Sequence, residues 1–155
     1  MRHVIITILS VFVAMTAFAQ GNGSIYIEDF EVAPDSTVSV QVMLTNAVPT
    51  HGLQFKMILP DGLVLEEAEL SKHSRRLKMN LAKNKNDDNW IVAVYSMDQT
   101  TYPPDTAPVL TLTLTAEPEF AGGNIIIKKS QGTDDEFATI YYNDSTTTVT
   151  CASGL

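Results

Sequence analysis

HGLQFKMILPDGLVLEE, residues 51 to 67, reads as a strand, a tight turn and a second strand. Leu53, Phe55, Met57 and Leu59 alternate with Gln54, Lys56 and Ile58. That period of two is expected of a strand with one face in a core. Pro60-Asp61-Gly62 then supplies a preset φ, a side chain that bonds its own backbone, and a residue free to take positive φ.

The same grammar recurs on both sides of this stretch. Upstream, Ser24 to Val32 (SIYIEDFEV) is rich in β-branched and aromatic residues and reads as a first strand. A turn at Ala33-Pro34-Asp35-Ser36 leads into Thr37 to Thr45, which puts Val38, Val40, Val42 and Leu44 on one face. Downstream, Leu63 to Leu65 makes a short strand. Ala68 to Lys83 admits two readings, because Leu70, Leu77 and Leu81 could line a helix whereas Leu77, Met79 and Leu81 alternate as a strand. A strand from about Arg76 to Ala82 is preferred, since Asn84 to Asn89 then forms a polar turn into Trp90 to Met97.

WIVAVYSM, residues 90 to 97, is apolar on both parities, which marks a central strand or one whose outer face is also covered. Asp98 to Thr106, with Pro103-Pro104, reads as a long loop. Ala107 to Ala116, Asn124 to Ser130, Phe137 to Tyr142 and Thr146 to Cys151 complete the set, with an acidic loop at Gln131 to Glu136. About nine short strands with no convincing helix are the signature of an all-β sandwich.

Met1-Arg2-His3, the apolar run Val4 to Phe18 and Ala17-Phe18-Ala19 before Gln20 form a signal peptide over residues 1–19. Its apolar core is too short for a membrane span. Residues 20–155 are then one domain in a secreted or otherwise extracytoplasmic setting, periplasm or cell surface, with no membrane insertion after cleavage. The chain carries 18 Asp and Glu against 10 Lys and Arg, a formal charge of −8, and losing Arg2 makes it one unit more negative. An acidic surface argues against nucleic acid as a partner. Cys151 is the single cysteine, so no internal disulfide is possible; in phase with Val149, it reads as a small buried hydrophobe.

Catalytic chemistry is not legible. Covalent catalysis needs a nucleophile, a base within reach and an orienting group. His51 and His73 lie in no nucleophile motif and read as solvated side chains. Glu66 and Glu67 are adjacent on a strand and so would point to opposite faces. Asp87-Asp88 and Asp134-Asp135-Glu136 lack calcium-loop spacing and read as solvated acidic turns. The expectation is no enzyme, no cofactor and no metal.

Taken together, IYIEDFEVAPDSTVSVQVMLTN, GLQFKMILPDGLVLEE, WIVAVYSMD, PVLTLTLTAEPEFAGG and NIIIKK resemble the cohesin-like family of secreted bacterial modules. The likeness spans nearly all of residues 20–155 and rests on strand patterns and turns. It implies an all-β, nine-stranded jelly-roll β-sandwich in the fold group shared with cellulose-binding modules. It also implies a non-catalytic module that binds a dockerin-like or other secreted protein. The family's docking face maps onto Asn124 to Ser130, Gly52 to Leu59, Trp90 to Met97 and Arg76 to Ala82. On those strands the outward parity is Lys56, Ile58, Lys78, Asn80, Ile91, Ala93, Tyr95, Ile126 and Lys128, apolar at its centre with lysines around it. A covering loop, or reversed parity in one strand, would hide that face.

The related fold also implies an alternative partner, a polysaccharide, held by a carbohydrate-binding surface. Sugar surfaces are gripped by aromatic rings over a polar floor. Here Trp90 reads as inward, and Tyr95, Tyr102, Tyr141 and Tyr142 are scattered over several elements.

Overall fold

The expected strand before Pro60 is β4 (Thr50–Ile58), and the strand after it is β5 (Leu63–Leu70). Leu63 N donates to Pro60 O at 3.2 Å, and Gly62 takes φ 85°. The two strands belong to different sheets, so this turn carries the chain from one layer of the molecule to the other.

A computed structural model describes residues 23–152 apart from residue 88. The signal peptide expected over residues 1–19 lies outside the described residues. The remaining strands are β1 (Gly23–Tyr26), β2 (Phe30–Val32), β3 (Thr37–Asn46), β6 (Met79–Asn86), β7 (Asn89–Ser96), β8 (Asp105–Ala116), β9 (Gly123–Asp134), β10 (Thr139–Tyr141) and β11 (Ser145–Cys151). One short helix, α1, spans Lys72–Arg76. A four-stranded sheet ordered β1-β3-β8-β5 faces a larger one ordered β2-β11-β9-β4-β7-β6, with β10 beside β9. This is the all-β sandwich expected from the alternation, in the jelly-roll form that the resemblance implies.

The inner faces meet as the period of two requires. Leu53, Phe55, Met57, Val92, Val94, Ile125 and Ile127 from the larger sheet are buried, as are Val42, Leu44, Leu110, Leu112 and Leu114 from the smaller. Each such side chain contributes about 1.5–3 kcal/mol on full burial. Trp90 points inward and packs partly buried against this core.

Several sequence expectations are corrected. Ser24 to Val32 is not one strand. β1 pairs antiparallel with β3, whereas β2 pairs parallel with β11 in the other sheet. Buried positions switch from odd (Ile25, Ile27) to even (Val32) across Glu28-Asp29, where the chain crosses. β11 holds that crossing: Ser145 Oγ donates to Ile25 O (2.9 Å), Thr147 Oγ1 to Ile27 O (2.7 Å) and Thr148 N to Asp29 Oδ1 (2.8 Å).

Arg76 to Ala82 is not a strand throughout. Ser71 caps α1, its Oγ accepting from Ser74 N at 3.0 Å, and Lys78 takes a left-handed φ of 58° before β6 begins at Met79. α1 is fixed by buried Ser74, whose Oγ donates to Val109 O and accepts from the Tyr102 hydroxyl. β6 then runs on through the expected polar turn to Asn86, which pairs with Asn89. As an edge strand with most of its residues exposed, it is mainly Asn and Lys after Leu81.

The solvated reading of the loops also changes. Tyr102 is buried and exchanges two backbone hydrogen bonds with Thr50 (2.8 and 3.0 Å), which pins the loop after β7. His51 is half-buried, with Nδ1 3.1 Å from Thr100 O and its ring stacked on Phe137 at 5.1 Å. His73 lies against Tyr102, ring centroids 5.7 Å apart. A bulge between Leu65 and Glu67 leaves Glu66 and Glu67 both exposed. Cys151 is half-buried, its Sγ 3.2 Å from Phe120 O.

Candidate functional site

Register builds the outward face of β9, β4, β7 and β6 row by row. One row aligns Asn84, Ile91, Lys56 and Lys128. The next aligns Asn86, Asn89, Ile58 and Ile126. In the other direction come Ala82, Ala93, Gln54 and Gln131, then Asn80, Tyr95, Gly52 and Thr133. A bulge between Gln54 and Lys56 makes this possible: Lys129 takes φ 54° as the extra residue, so Lys128 faces out while Ser130 turns in and is buried.

Eight of the nine expected positions, Lys56, Ile58, Asn80, Ile91, Ala93, Tyr95, Ile126 and Lys128, therefore share one face. Lys78 does not; it sits exposed in the turn before β6, off the ladder. Ile58, Ile91 and Ile126 are half-buried, and Tyr95 is 40 % exposed. No described loop seals Tyr95. The outward parity of Ile91, Ala93 and Tyr95 follows from the burial of Val92 and Val94 between them.

Gly52 is needed where it stands. A Cβ there would lie 3.0 Å from Val94 O and 3.4 Å from the Tyr95 Cβ. Its absence leaves a shallow depression of about 180 Å³ lined by Gly52, Gln54, Ala93, Tyr95, Gln131, Thr133 and Thr139.

Sequence reasoning missed the far side of this face. β10 pairs with β9 so that Tyr141 aligns with Gln131 and Thr139 with Thr133. Tyr141, 69 % exposed, thus stands across the depression from Tyr95. The signal was present in the alternation of buried Ile140 and Tyr142 with Tyr141, but the partner of that strand could not be read. The expected acidic loop at Gln131 to Glu136 is mostly strand, and Asp134 Oδ1 accepts from Glu136 N (2.9 Å) and Ala138 N (2.8 Å) to close the turn.

Charge on this face departs from that of the whole chain. Its outward rows carry Lys56 and Lys128 and no carboxylate, whereas Lys83 and Lys85 pair with the inward residues Val92 and Trp90 and so take the other side of β6. Among the described residues no cluster of three or more His, Cys, Asp or Glu is placed to hold a metal ion. Burial pushes the Tyr102 hydroxyl up to about 12, partly offset by its bond to Ser74, and burial raises Tyr142 as well. No described helix is long and apolar enough to cross a membrane.

No protein-family model matches the chain, and no curated protein matches it. Solved structures do. The chain is similar to the sixth cohesin of scaffoldin B from Acetivibrio cellulolyticus, solved in complex with a Cel5 dockerin, with TM-score 0.70 and 16% identity over 84% of this chain and 99% of that one. A cohesin module of a family 33 glycoside hydrolase from Clostridium perfringens matches at TM-score 0.67 and 12% identity, over 85% of this chain and 98% of that one. A non-cellulosomal cohesin from the archaeon Archaeoglobus fulgidus matches at TM-score 0.66 and 11% identity, over 83% and 91%. In its fold, the chain is a cohesin-like domain.

Proposed function

We propose that this domain is a non-catalytic, extracytoplasmic docking module that binds a protein partner, dockerin-like or another secreted protein, through the outward face of β9, β4, β7 and β6. One observation carries the reading: on a chain with 18 Asp and Glu against 10 Lys and Arg, this face aligns Lys56 and Lys128 with half-buried Ile58, Ile91 and Ile126. An apolar centre beside a basic pair suits an acidic partner surface, whose charge would speed encounter and set register. The neighbour solved in complex with a dockerin supports a protein as the ligand class. The leader at residues 1–19 supports delivery outside the cytoplasm.

The test is affinity capture of secreted host proteins on the immobilised native domain and on Ile91→Asp. A protein retained by the native domain and lost from the folded variant supports this face. Equal retention by both overturns it.

A polysaccharide is the second reading, favoured by Tyr95 and Tyr141 flanking the polar floor of Gln54, Gln131 and Thr133. Retardation in native gels containing a polysaccharide, abolished by Tyr141→Ala, would favour it over a protein ligand.

A further inference from the structure

β5 and β6 are edge strands of opposite sheets. Between them lies a cavity of about 540 Å³, bounded by the Pro60-Asp61-Gly62 turn, the start of β5 and the hairpin that joins β6 to β7. That volume is in the range of small-molecule sites, about 300–1,000 Å³. Trp90 and Leu65 supply apolar lining, and Asp61, Lys85 and Asp87 supply polar groups. Trp90 and Lys85 stand opposite each other on the inner side of the larger sheet. Of the lining residues, only Ile58 and Asn89 also belong to the outward rows.

The polar groups of this cavity are uncommitted. Elsewhere carboxylates at turns close their own loops: Asp105 Oδ1 accepts from Thr106 N (2.8 Å), and Asp134 Oδ1 accepts from Glu136 N and Ala138 N. Among the described residues no such bond reaches the carboxylates of Asp61 and Asp87, which are exposed. Trp90 is half-buried, and Lys85 Nζ stands 6.0 Å from its ring centroid, at the outer limit of a cation–π contact. The flexible stem of a lysine lets that ammonium swing from the ring to the rim.

We propose that this cavity binds one neutral sugar ring of an oligosaccharide. The lining selects it by chemistry. Two carboxylates beside a single ammonium repel phosphate and other anions. The indole already faces a cation of its own chain, which opposes a cationic ligand. A bare hydrocarbon would strip water from Asp61 and Asp87 without replacing the hydrogen bonds that water makes. A neutral sugar meets every group: its C–H face covers the indole, while its hydroxyls donate to the carboxylates and accept from Lys85. The site is separate from the proposed docking face and does not depend on it.

Trp90 is the single tryptophan of the chain, so its emission reports occupancy of the cavity. The native protein is titrated with cellohexaose, xylohexaose, mannohexaose and maltohexaose, and with an oligogalacturonate as the acidic control. At least one neutral oligosaccharide is expected to give a saturable change in emission with a Kd of about 1 mM or tighter, and the oligogalacturonate none. Asp61→Ala and Asp87→Gly should each weaken that response about tenfold. Glycine keeps the left-handed φ of 58° that Asp87 holds, so the melting temperature should stay native. No response to any neutral sugar, a response strongest with the oligogalacturonate, or equal affinity in the native chain and both carboxylate variants overturns the proposal. Sugar binding lost in Tyr141→Ala would place the ligand on the outward face and overturns it too. Capture of a protein partner by Asp87→Gly reports on the docking face separately.

Discussion

Lys56 of β4 and Lys128 of β9 stand directly opposite each other across an antiparallel ladder, in the same outward row as Ile91 and Asn84. Like charges so placed oppose sheet pairing. Both are half-buried, the four residues of this row include no carboxylate, and exposed Asp144 follows at its β11 end, one residue before Ser145 opposite Ile127. The isolated domain thus carries a local electrostatic cost that an acidic partner would relieve.

Removing one charge separates stability from binding. Lys128→Gln is expected to stabilise the free domain by about 0.2–1 kcal/mol, read from urea unfolding at low salt. The same substitution should weaken capture of a protein partner and flatten its dependence on ionic strength, since one attractive contact is lost. A variant no more stable than the native domain would mean that solvent already screens the pair.

Ile91→Asp addresses the apolar centre. Ile91 is half-buried on the outward side, while the core beneath it is held by Val92 and Val94. The expected cost to folding is about 1 kcal/mol, in the range of ordinary substitutions outside a core, with a near-native circular dichroism spectrum. Partner binding should fall at least tenfold by calorimetry.

Tyr102 makes stability fall at high pH. Burial raises its hydroxyl from 10.0 to about 12, so the folded state holds this proton more tightly than the unfolded chain does. The stabilisation is fully present below pH 10 and is lost as pH rises through about 12, for a loss of about 3 kcal/mol. Tyr142, raised by burial too, acts in the same direction. Tyr102→Phe should start about 1 kcal/mol less stable at neutral pH, having lost the bond to Ser74, yet show a shallower decline above pH 10. Parallel declines for native and variant protein, followed by urea unfolding, would show that other groups set the limit.

Gly52→Val tests the link between backbone packing and the face. Its Cβ would press on Val94 O and on the Tyr95 main chain, so β4 and β7 must part locally. The expected cost is about 1–3 kcal/mol, with Tyr95 displaced and its fluorescence changed. A melting temperature equal to the native one would show that the ladder yields without strain.

The sandwich was readable from sequence because its core strands obey a strict period. Leu53-Phe55-Met57 and Leu110-Leu112-Leu114 declare their buried faces without reference to any neighbour. Most of the proposed docking face followed for the same reason, since fixing Val92 and Val94 inward leaves Ile91, Ala93 and Tyr95 no other side. What failed depended on distant partners. The crossing at Glu28-Asp29 is set by Ser145, Thr147 and Thr148, more than a hundred residues away. α1 exists because Ser71 and Ser74 find Pro108, Val109 and Tyr102, so Lys78 fell outside the strand to which alternation assigned it. Tyr141 joined the face only through the pairing of β10 with β9, and periodicity within one segment does not report pairing between two.

The path of the first ten described residues has a mechanical consequence. From Ser24, bridged to Asn143, to Val32, opposite Cys151, the chain runs alongside β11 in the same direction, fastened first by hydroxyls and then by a ladder. Tension drawing Gly23 and Ala152 apart would therefore load these fastenings lengthwise and all at once, instead of peeling them one by one. A domain tied in this way should resist stretching far better than its equilibrium stability alone would suggest.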